Sequence, residues 1–370
     1  MQDIEANFNE IEPLLLAAIR QEGIISFARF MEIALYYPEK GYYERTVNPI
    51  GSKGDFITNV SVGSLFGEML AFQFLSWHDA STNQDMNILE AGAHDGQLAS
   101  DIIGCLERGD RSKCHYFIME PSSLREKVQK KTIASVVCPV KWIANWDNMD
   151  SGSFSGMIFS NELLDAFPVH RLRWNAAQRH WLEWGVTVVN EQLHWVPMPK
   201  SSEYAELLLL KVLDMNNIPT RELLDVLPDG YTLDISPEAV EWWQKAARTL
   251  KNGYLVALDY GFDDVFSADR IHGSLRAYYR HQSTLDVFER PGLQDLTASV
   301  MFPSIISAGE QAGLRTLIFE PQSRYFSRLL QVMACKNGEK WLEKHSRQIK
   351  TLIDPNHFGR AFRILVQKRD

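Results

Sequence analysis

The stretch Met86-Asn87-Ile88-Leu89-Glu90-Ala91-Gly92-Ala93-His94-Asp95-Gly96 decides how the rest of the chain is interpreted. Ile88 and Leu89 begin a short apolar run, which is typical of a buried parallel strand. Two glycines bracket the turn that follows, and residues 98–106 have the pattern of a helix. Strand, glycine turn and helix in this order predict the first unit of a nucleotide-binding α/β fold, although other α/β proteins also contain them.

The turn offers groups that suit a charged, nucleoside-like ligand. Gly92 and Gly96 have no side chain, so the main chain between them, including Ala93, can approach a ligand closely. The start of the next helix presents free N–H groups. Glu90 ends the strand, where its carboxylate could pair with a ligand ammonium. The Gly-x-Gly-x-x-Gly fingerprint is absent, which makes an NAD dehydrogenase the least favoured enzyme class.

Composition limits the function classes. The chain has 370 residues, of which 45% are hydrophobic, so it can form a full core with length left for a second lobe. A net charge of −9 and a pI near 5.6 disfavour a general nucleic-acid binder. An acidic surface would tolerate a basic protein substrate, although ordinary solubility explains the charge more simply.

Cysteine usage and hydropathy point to a compartment. The four cysteines show no Cys-x-x-Cys pairing, which argues against a zinc site and suits a reducing environment. The first apolar run, residues 14–19, is short and follows no basic cluster, so we expect neither a signal peptide nor a membrane span. The sequence therefore predicts a cytoplasmic protein without a bound metal.

The pattern of segments predicts an organisation into two parts. Residues 1–85 form a helical cap, with Ser26 as an N-cap and a Gly-Asp-Phe-Ile-Thr loop that contains Asp55 and Thr58. Asp55 and Thr58 could cover a ligand, or they could belong to an ordinary capped turn. Residues 86–370 form an α/β domain in which an insertion at about 169–235 contains antiparallel hairpins.

Strands alternate with helices after residue 86, which predicts a doubly wound parallel sheet. Two further strands would complete a sheet of seven. Ser236 is predicted to be an N-cap with Pro237 at the first helical position, and the helix that follows is expected to end at a glycine C-cap at Gly253. The polar stretch of about forty residues after Gly261 is predicted to be a long lid or binding loop. The predicted strands are 87–91, 115–120, 139–143, 156–160, 254–259, 315–319 and 363–367.

Ligands of such sheets bind beyond the carboxyl ends of the strands, so the residues delivered there are the candidates for a site. Glu120, after the second strand, is placed to bond ribose hydroxyls. Trp146 and Asp147, after the third, could stack on a purine and accept from its amino group, although Trp146 could equally be core.

Polar residues also follow the fourth and fifth strands. Asn161, Glu162 and Asp165 follow the fourth, and a helical turn would put the two acids on one face. These acids could instead complement a helix dipole. Asp259 follows the fifth strand.

With these segments in order, the chain resembles the MidA family of S-adenosylmethionine (SAM)-dependent methyltransferases, which includes a mitochondrial complex I assembly factor that methylates arginine. The resemblance covers nearly the whole chain. It rests on these segments: Gly41-Tyr42-Tyr43, Gly54 to Thr58, Glu90 to Gly96, Asn161 to Pro168, Asp259-Tyr260-Gly261, Gly273 to Tyr278 and Asp295 to Ala298.

The resemblance implies a class I, Rossmann-like, seven-stranded methyltransferase sheet and SAM as cofactor, with S-adenosyl-homocysteine as product. The cofactor-binding residues would be Asp55, Thr58, Glu90, Gly92, Ala93, Gly96, Glu120, Trp146, Asp147 and Asn161. The catalytic residues would be Glu162 first, with Asp165 and Asp259 second. The partner would be a protein with an accessible arginine, and a homodimer is left open.

The chain departs from the family pattern at three places. His94 replaces the middle glycine of the first motif, Asn59-Val60-Ser61 replaces Ala-Pro-Glu, and Ser299 replaces a histidine. These changes leave two alternatives open. One is a methyltransferase for a small molecule, and the other is a non-catalytic, SAM-binding factor that assists the assembly of a respiratory complex.

Overall fold

The computed structural model describes residues 10–45, 58–78, 85–108, 114–199, 201–213, 221–280, 282–354 and 358–370. The helices in these ranges are α1 (Ile11–Glu22), α2 (Phe27–Tyr36), α3 (Leu65–Trp77), α4 (Gln97–Arg108), α5 (Ser123–Thr132), α6 (Ser201–Val212), α7 (Arg221–Val226), α8 (Pro237–Thr249), α9 (Phe302–Gln311), α10 (Gln322–Asn337), α11 (Glu339–Ile353) and α12 (Phe358–Ala361). The strands are β1 (Ile25–Ser26), β2 (Met86–Ala91), β3 (Cys114–Met119), β4 (Val140–Ile143), β5 (Phe154–Asn161), β6 (His170–Asn175), β7 (His180–Val189), β8 (Gln192–Pro197), β9 (Thr232–Ile235), β10 (Leu250–Phe262), β11 (Arg276–Tyr279), β12 (Gln282–Thr284), β13 (Asp295–Thr297), β14 (Val300–Met301), β15 (Arg315–Pro321) and β16 (Phe362–Arg369).

A large sheet forms the centre of the molecule. Its strands follow the order β15-β16-β10-β5-β2-β3-β4, and the short β14 pairs with β10, which makes eight strands in the described residues. The strands β10, β5, β2, β3 and β4 are parallel, while β16 is antiparallel to both of its neighbours. The prediction of an α/β sheet of the class I methyltransferase type is confirmed.

Helices cover both faces of this sheet because the central strands are apolar on both sides. On one face α4 buries Leu98, Ile102 and Leu106, a spacing that places all three on one side of the helix. On the other face α8 buries Trp243, which is fully enclosed and donates from Nε1 to Gln367 Oε1 at 2.8 Å. Each large side chain buried in this way stabilises the fold by roughly 1.5–3 kcal/mol.

A second sheet contains the insertion. Its order is β1-β7-β6-β9, with β8 on β7, and all of these pairs are antiparallel. The predicted hairpins are therefore present. The N-terminal helices share an apolar core with this sheet, in which Phe27 and Phe30 of α2 lie against Trp195 of β8 and the nearby Phe288. The division at residue 85 stays a prediction.

Two sequence predictions about local structure are wrong. The helix α8 ends at Thr249, and Gly253 lies inside β10 opposite Gly156 of β5. A Cβ at Gly253 would overlap the carbonyl oxygen of Gly156, so Gly253 serves strand pairing and does not cap a helix. The stretch after Gly261 is not one long loop, because β11, β12 and β13 pair into a three-stranded sheet. Main-chain hydrogen bonds form this sheet, and a polar sequence does not show them as a hydrophobic pattern. The N-caps at Ser26 and Ser236 are confirmed.

Within the described part of the chain, every helix is too short or too polar to span a bilayer.

Replacing Gly253 by alanine is expected to lower the free energy of unfolding by roughly 3 kcal/mol, because overpacking and a left-handed backbone each cost roughly 1–3 kcal/mol. The new Cβ would overlap the Gly156 carbonyl oxygen, and φ at this position is +118°. The control is Gly152→Ala, with φ +65° and open space around it, which is expected to cost roughly 1 kcal/mol. Urea unfolding followed by circular dichroism measures both, and equal losses would contradict the tight approach of β5 and β10.

Candidate functional site

The glycine turn after β2 has the conformation that the sequence requires of it. Gly92 has φ +75° and Gly96 has φ +86°, both in the left-handed region that favours glycine. A Cβ at Gly92 would stand 2.9 Å from Leu163 Cδ1, and one at Gly96 would stand 3.2 Å from the Cα of Gln129. The turn therefore packs tightly against the segment after β5 and against α5.

His94 occupies the middle of this turn with φ +47°. Its Nε2 lies 3.2 Å from Arg125 Nη1, and its carbonyl oxygen accepts from Gln129 Nε2 at 3.0 Å. Burial lowers the pKa of His94 in spite of the nearby Asp95. Because a guanidinium can only donate, the neutral ring accepts through Nε2. The imidazole that replaces a glycine is thus held against α5 by Arg125.

Glu90 and Glu120 both point into the protein. Glu90 is 2% exposed and accepts from the Tyr116 hydroxyl at 2.7 Å, and burial raises its pKa to about 8. Glu120 accepts from Ser122 N at 2.9 Å and from Gln129 Nε2 at 2.8 Å. Burial also raises the pKa of Glu120. The two acids stand at the ends of neighbouring strands, on either side of the glycine turn.

Trp146 and Asp147 lie in different surroundings. Trp146 is buried, and its ring centroid lies 5.3 Å from that of Trp242 on α8. Asp147 is exposed, and its main-chain N–H donates to the Asn145 side chain at 3.0 Å. The structure therefore places Trp146 in the core that lies between the sheet and α8, and leaves Asp147 at the surface.

Asn161 and Glu162 extend β5 at its carboxyl end. Glu162 has φ +51°, an uncommon conformation for a residue with a side chain, which often accompanies function. Its Oε1 accepts from Asn59 N at 3.0 Å and from Asn161 Nδ2 at 3.1 Å. Burial of the carboxyl raises its pKa to about 8. Because Glu162 is left-handed and only 164–166 form a single 3₁₀ turn, the two acids do not share the face of an α-helix.

Asp259 binds the main chain of the turn that follows β5. It is fully buried, and its Oδ2 accepts from the main-chain N–H groups of Leu163 at 3.1 Å and Leu164 at 2.8 Å. Its Oδ1 accepts from Tyr260 N at 2.8 Å. Burial raises its pKa to about 7, although these main-chain donors oppose the rise. Burial and the neighbouring Asp259 raise the pKa of Asp165 far above its ordinary value, so Asp165 carries the proton of this pair.

Three residues that the sequence analysis did not select complete the site. Tyr43 donates from its hydroxyl to Asp295 Oδ1 at 2.6 Å, and Asp295 is 1% exposed. Tyr36 donates to the carbonyl oxygen of Ala166 at 2.8 Å, and its ring stacks on Tyr43. Tyr43 and Asp295 lie in segments that carry the family resemblance, but nothing in their local sequence pairs them across 252 positions.

The cover predicted from the Gly-Asp-Phe-Ile-Thr loop is described only in part. Asp55 lies outside the described residues. Thr58 accepts from Ser61 N at 3.1 Å, and its own N–H donates to Ser61 Oγ at 2.9 Å, which are the bonds of a capped turn. Asn59 is fully buried and links this turn to Glu162, and its side chain pairs with Gln322.

The arrangement joins two kinds of chemistry at one edge of the sheet. The glycine turn with Glu90 and Glu120 offers close main-chain approach and two carboxylates. Beside it, the segment after β5 and the strands β10 and β13 bring four acids together: Glu162, Asp165, Asp259 and Asp295. Their mutual repulsion adds to burial in raising the pKa of Asp165 and Glu162. A cation would relieve that repulsion.

Comparisons with known proteins agree with this geometry. A family described as "Putative S-adenosyl-L-methionine-dependent methyltransferase" matches residues 69–320. A crystal structure from Burkholderia thailandensis, bound to S-adenosyl-homocysteine, is 26% identical with a TM-score of 0.84, across 99% of this chain and 94% of that one. A second, native crystal structure from the same organism has a TM-score of 0.82 at 26% identity, across 99% of this chain and 93% of that one.

Curated relatives show the same likeness over much of their length. The protein named "Protein arginine methyltransferase NDUFAF7, mitochondrial" from Mus musculus is 28% identical, across 80% of this chain and 70% of that protein. Its Homo sapiens counterpart is 24% identical, across 96% of this chain and 83% of that protein. Since the family match extends over more than half of the chain, the protein belongs to this family of S-adenosyl-L-methionine-dependent methyltransferases.

Proposed function

We propose that this methyltransferase transfers the methyl group of SAM to a guanidinium nitrogen of arginine in a protein substrate. The observation that carries the proposal is the group of four acids next to the glycine turn. A guanidinium keeps its charge at every physiological pH, so a site for it needs carboxylates. The names of the curated relatives, which are protein arginine methyltransferases, support the same choice.

The residues near the glycine turn fit the cofactor. Gly92 is exposed, so its main chain is open to a ligand. Asn161 Oδ1 is buried, and no described atom donates to it. Together with Glu90 it offers acceptors for the ammonium of the methionine part, while Glu120 has the position that binds ribose hydroxyls. When bound, SAM supplies an electrophilic methyl group on a sulfonium.

Glu162 is the group that we assign to the acceptor. It would bind one guanidinium nitrogen and turn another toward the methyl group. When the N–C bond forms and the S–C bond breaks, S-adenosyl-homocysteine leaves and the nitrogen loses a proton. With a pKa of about 8, Glu162 is protonated at neutral pH in the free protein, and the bound guanidinium favours its ionised form, which can then receive that proton. One main-chain donor, Asn59 N, and one side-chain donor, Asn161 Nδ2, hold its Oε1, which fixes the direction of the carboxylate.

The other acids have different roles in the proposal. Asp259 is a positioning residue, because main-chain N–H groups occupy both of its oxygens. Asp295 supplies further negative charge to the acceptor, and the pair Asp165 and Asp259 supplies one charge between its two carboxyls. Asp295 is set by the Tyr43 hydroxyl, and Tyr36 fixes the Ala166 carbonyl beside Asp165.

A small-molecule acceptor is the second candidate. Asp165 is 6% exposed and Asp295 is 1% exposed, and such burial favours a small acceptor over a large one. A free amine or guanidine would enter such a pocket as readily as an arginine side chain.

The proposal includes a reducing compartment and a protein partner with an accessible arginine. The four cysteines are free, which suits a reducing compartment such as the cytoplasm. The curated relatives carry the word mitochondrial in their names. A role in the assembly of a respiratory complex comes from the family resemblance.

Lysate proteins incubated with the enzyme and isotopically labelled SAM should acquire label on arginine, read by mass spectrometry. Glu162→Gln should lower that rate roughly 100-fold or more, since it removes a charge that stabilises the transition state. Its affinity for S-adenosyl-homocysteine should change by less than about twofold. The control is Glu241→Gln, whose side chain is 65% exposed on α8. Label on small molecules alone would favour the second candidate, and an unchanged rate in Glu162→Gln would remove Glu162 from the mechanism.

Binding of S-adenosyl-homocysteine at pH 7 should release most of one proton from Glu90. With a pKa of about 8, this carboxyl is protonated before binding, and a ligand ammonium beside it favours ionisation. Calorimetry in two buffers of different ionisation enthalpy measures the release. Glu90→Gln should abolish it, while Glu22→Gln, at the end of α1, should not. Equal release from wild type and Glu90→Gln would show that the ammonium binds elsewhere.

A further inference from the structure

The segment Gly41–Arg45 lies against the cofactor half of the site. Residues Tyr42–Glu44 form one 3₁₀ turn that follows α2. The Tyr43 carbonyl oxygen accepts from Arg125 Nε at 2.7 Å, and Glu44 Oε2 accepts from Ser122 Oγ at 2.9 Å. Arg125 is the residue that also holds His94. The segment is therefore tied to α5 at two neighbouring residues.

Ser122 joins two carboxylates. Its hydroxyl donates to Glu44, and its main-chain N–H donates to Glu120 Oε1 at 2.9 Å. Glu44 therefore stands close to the acid that ends β3, although the two are 76 positions apart in the chain. After burial as the main cause, the charge of Glu44 adds to the rise in the pKa of Glu120, and Arg125 opposes that rise.

Two carboxylates held this close repel each other unless donors lie between them. Ser122 and Gln129 supply some of these donors to Glu120, and each carboxylate keeps capacity to accept more. A ribose has two adjacent hydroxyls, each of which donates one hydrogen. A pair of acids is therefore matched to a diol, whereas a single acid at the strand end must bind both hydroxyls alone.

We propose that Glu44 is a second ribose-binding residue, which accepts from one hydroxyl of the SAM ribose while Glu120 accepts from the other. The N-terminal segment thereby forms one wall of the cofactor site. This assignment depends on the cofactor and not on the identity of the methyl acceptor.

A purely structural role for Glu44 makes a different prediction. If Glu44 only latches its segment to Ser122, its replacement should weaken every ligand of the site equally. If it binds a hydroxyl, the loss should depend on that hydroxyl. Glu44→Gln separates the two, because the amide oxygen can still accept from Ser122 while the charge is removed.

The test is calorimetry with three probes: S-adenosyl-homocysteine, its 2′-deoxy analogue and its 3′-deoxy analogue. Glu44→Gln should bind S-adenosyl-homocysteine about tenfold more weakly, the loss expected from one charged hydrogen bond. The same variant should bind one of the two deoxy analogues about as well as wild type does. Glu120→Gln should lose the preference for the other hydroxyl, and Glu22→Gln should bind all three probes as wild type does.

The outcomes decide the proposal. Loss of discrimination at one hydroxyl supports it. An equal weakening of all three probes in Glu44→Gln overturns it, and so does unchanged binding of all three. Ser122→Ala gives a second measure, since it removes the latch and leaves the Glu44 carboxylate. It should weaken binding but retain the preference for the hydroxyl that Glu44→Gln loses.

Discussion

The carboxylate of Asp259 is the constraint on which the rest of the site depends. It is buried near the end of β10 and bonded to the main-chain N–H groups of the turn after β5, so it links two neighbouring strands and one turn. This turn holds Glu162 in a left-handed conformation and places Leu163 against Gly92. One buried acid thus sets the distance between the cofactor half and the acceptor half of the site. A charge-assisted bond of this kind is stronger than a neutral one, which suits a position that must not shift.

Keeping several acids together inside the protein has an energetic cost. The carboxyls of Glu90 and Glu162 have pKa values of about 8, well above those of an unfolded chain. Between the ordinary carboxyl pKa and about 8, the folded protein binds more protons than the unfolded one, so these groups lower stability as the pH rises through that window. Cations lower such pKa values and relieve the cost. The site is therefore destabilised until it holds a ligand ammonium and a cationic acceptor, which agrees with the function we propose.

Much of the fold followed from local patterns. Alternation of apolar strands with amphipathic helices identified all seven main strands of the central sheet, because burial on both faces leaves a short run of apolar residues in the sequence. The N-caps at Ser26 and Ser236 were recognised from single residues. The C-cap predicted at Gly253 was wrong, since the sequence does not distinguish a glycine that ends a helix from a glycine that pairs with a neighbouring strand. The β11–β13 sheet was missed because polar strands carry no apolar period.

The sequence by itself determined the class of fold and the segments that we propose for the cofactor, since the glycine turn and the acids at the strand ends lie within short segments whose geometry is local. Only the tertiary structure decided the rest of the site. Tyr43, Glu44 and Asp295 come from segments far apart in the chain, and long-range hydrogen bonds tie Tyr43 to Asp295 and Glu44 to Ser122. It also decided that Arg125 holds His94 and that Trp146 is packed in the core. Such contacts depend on how elements pack, and packing leaves no spacing in the sequence that could predict them.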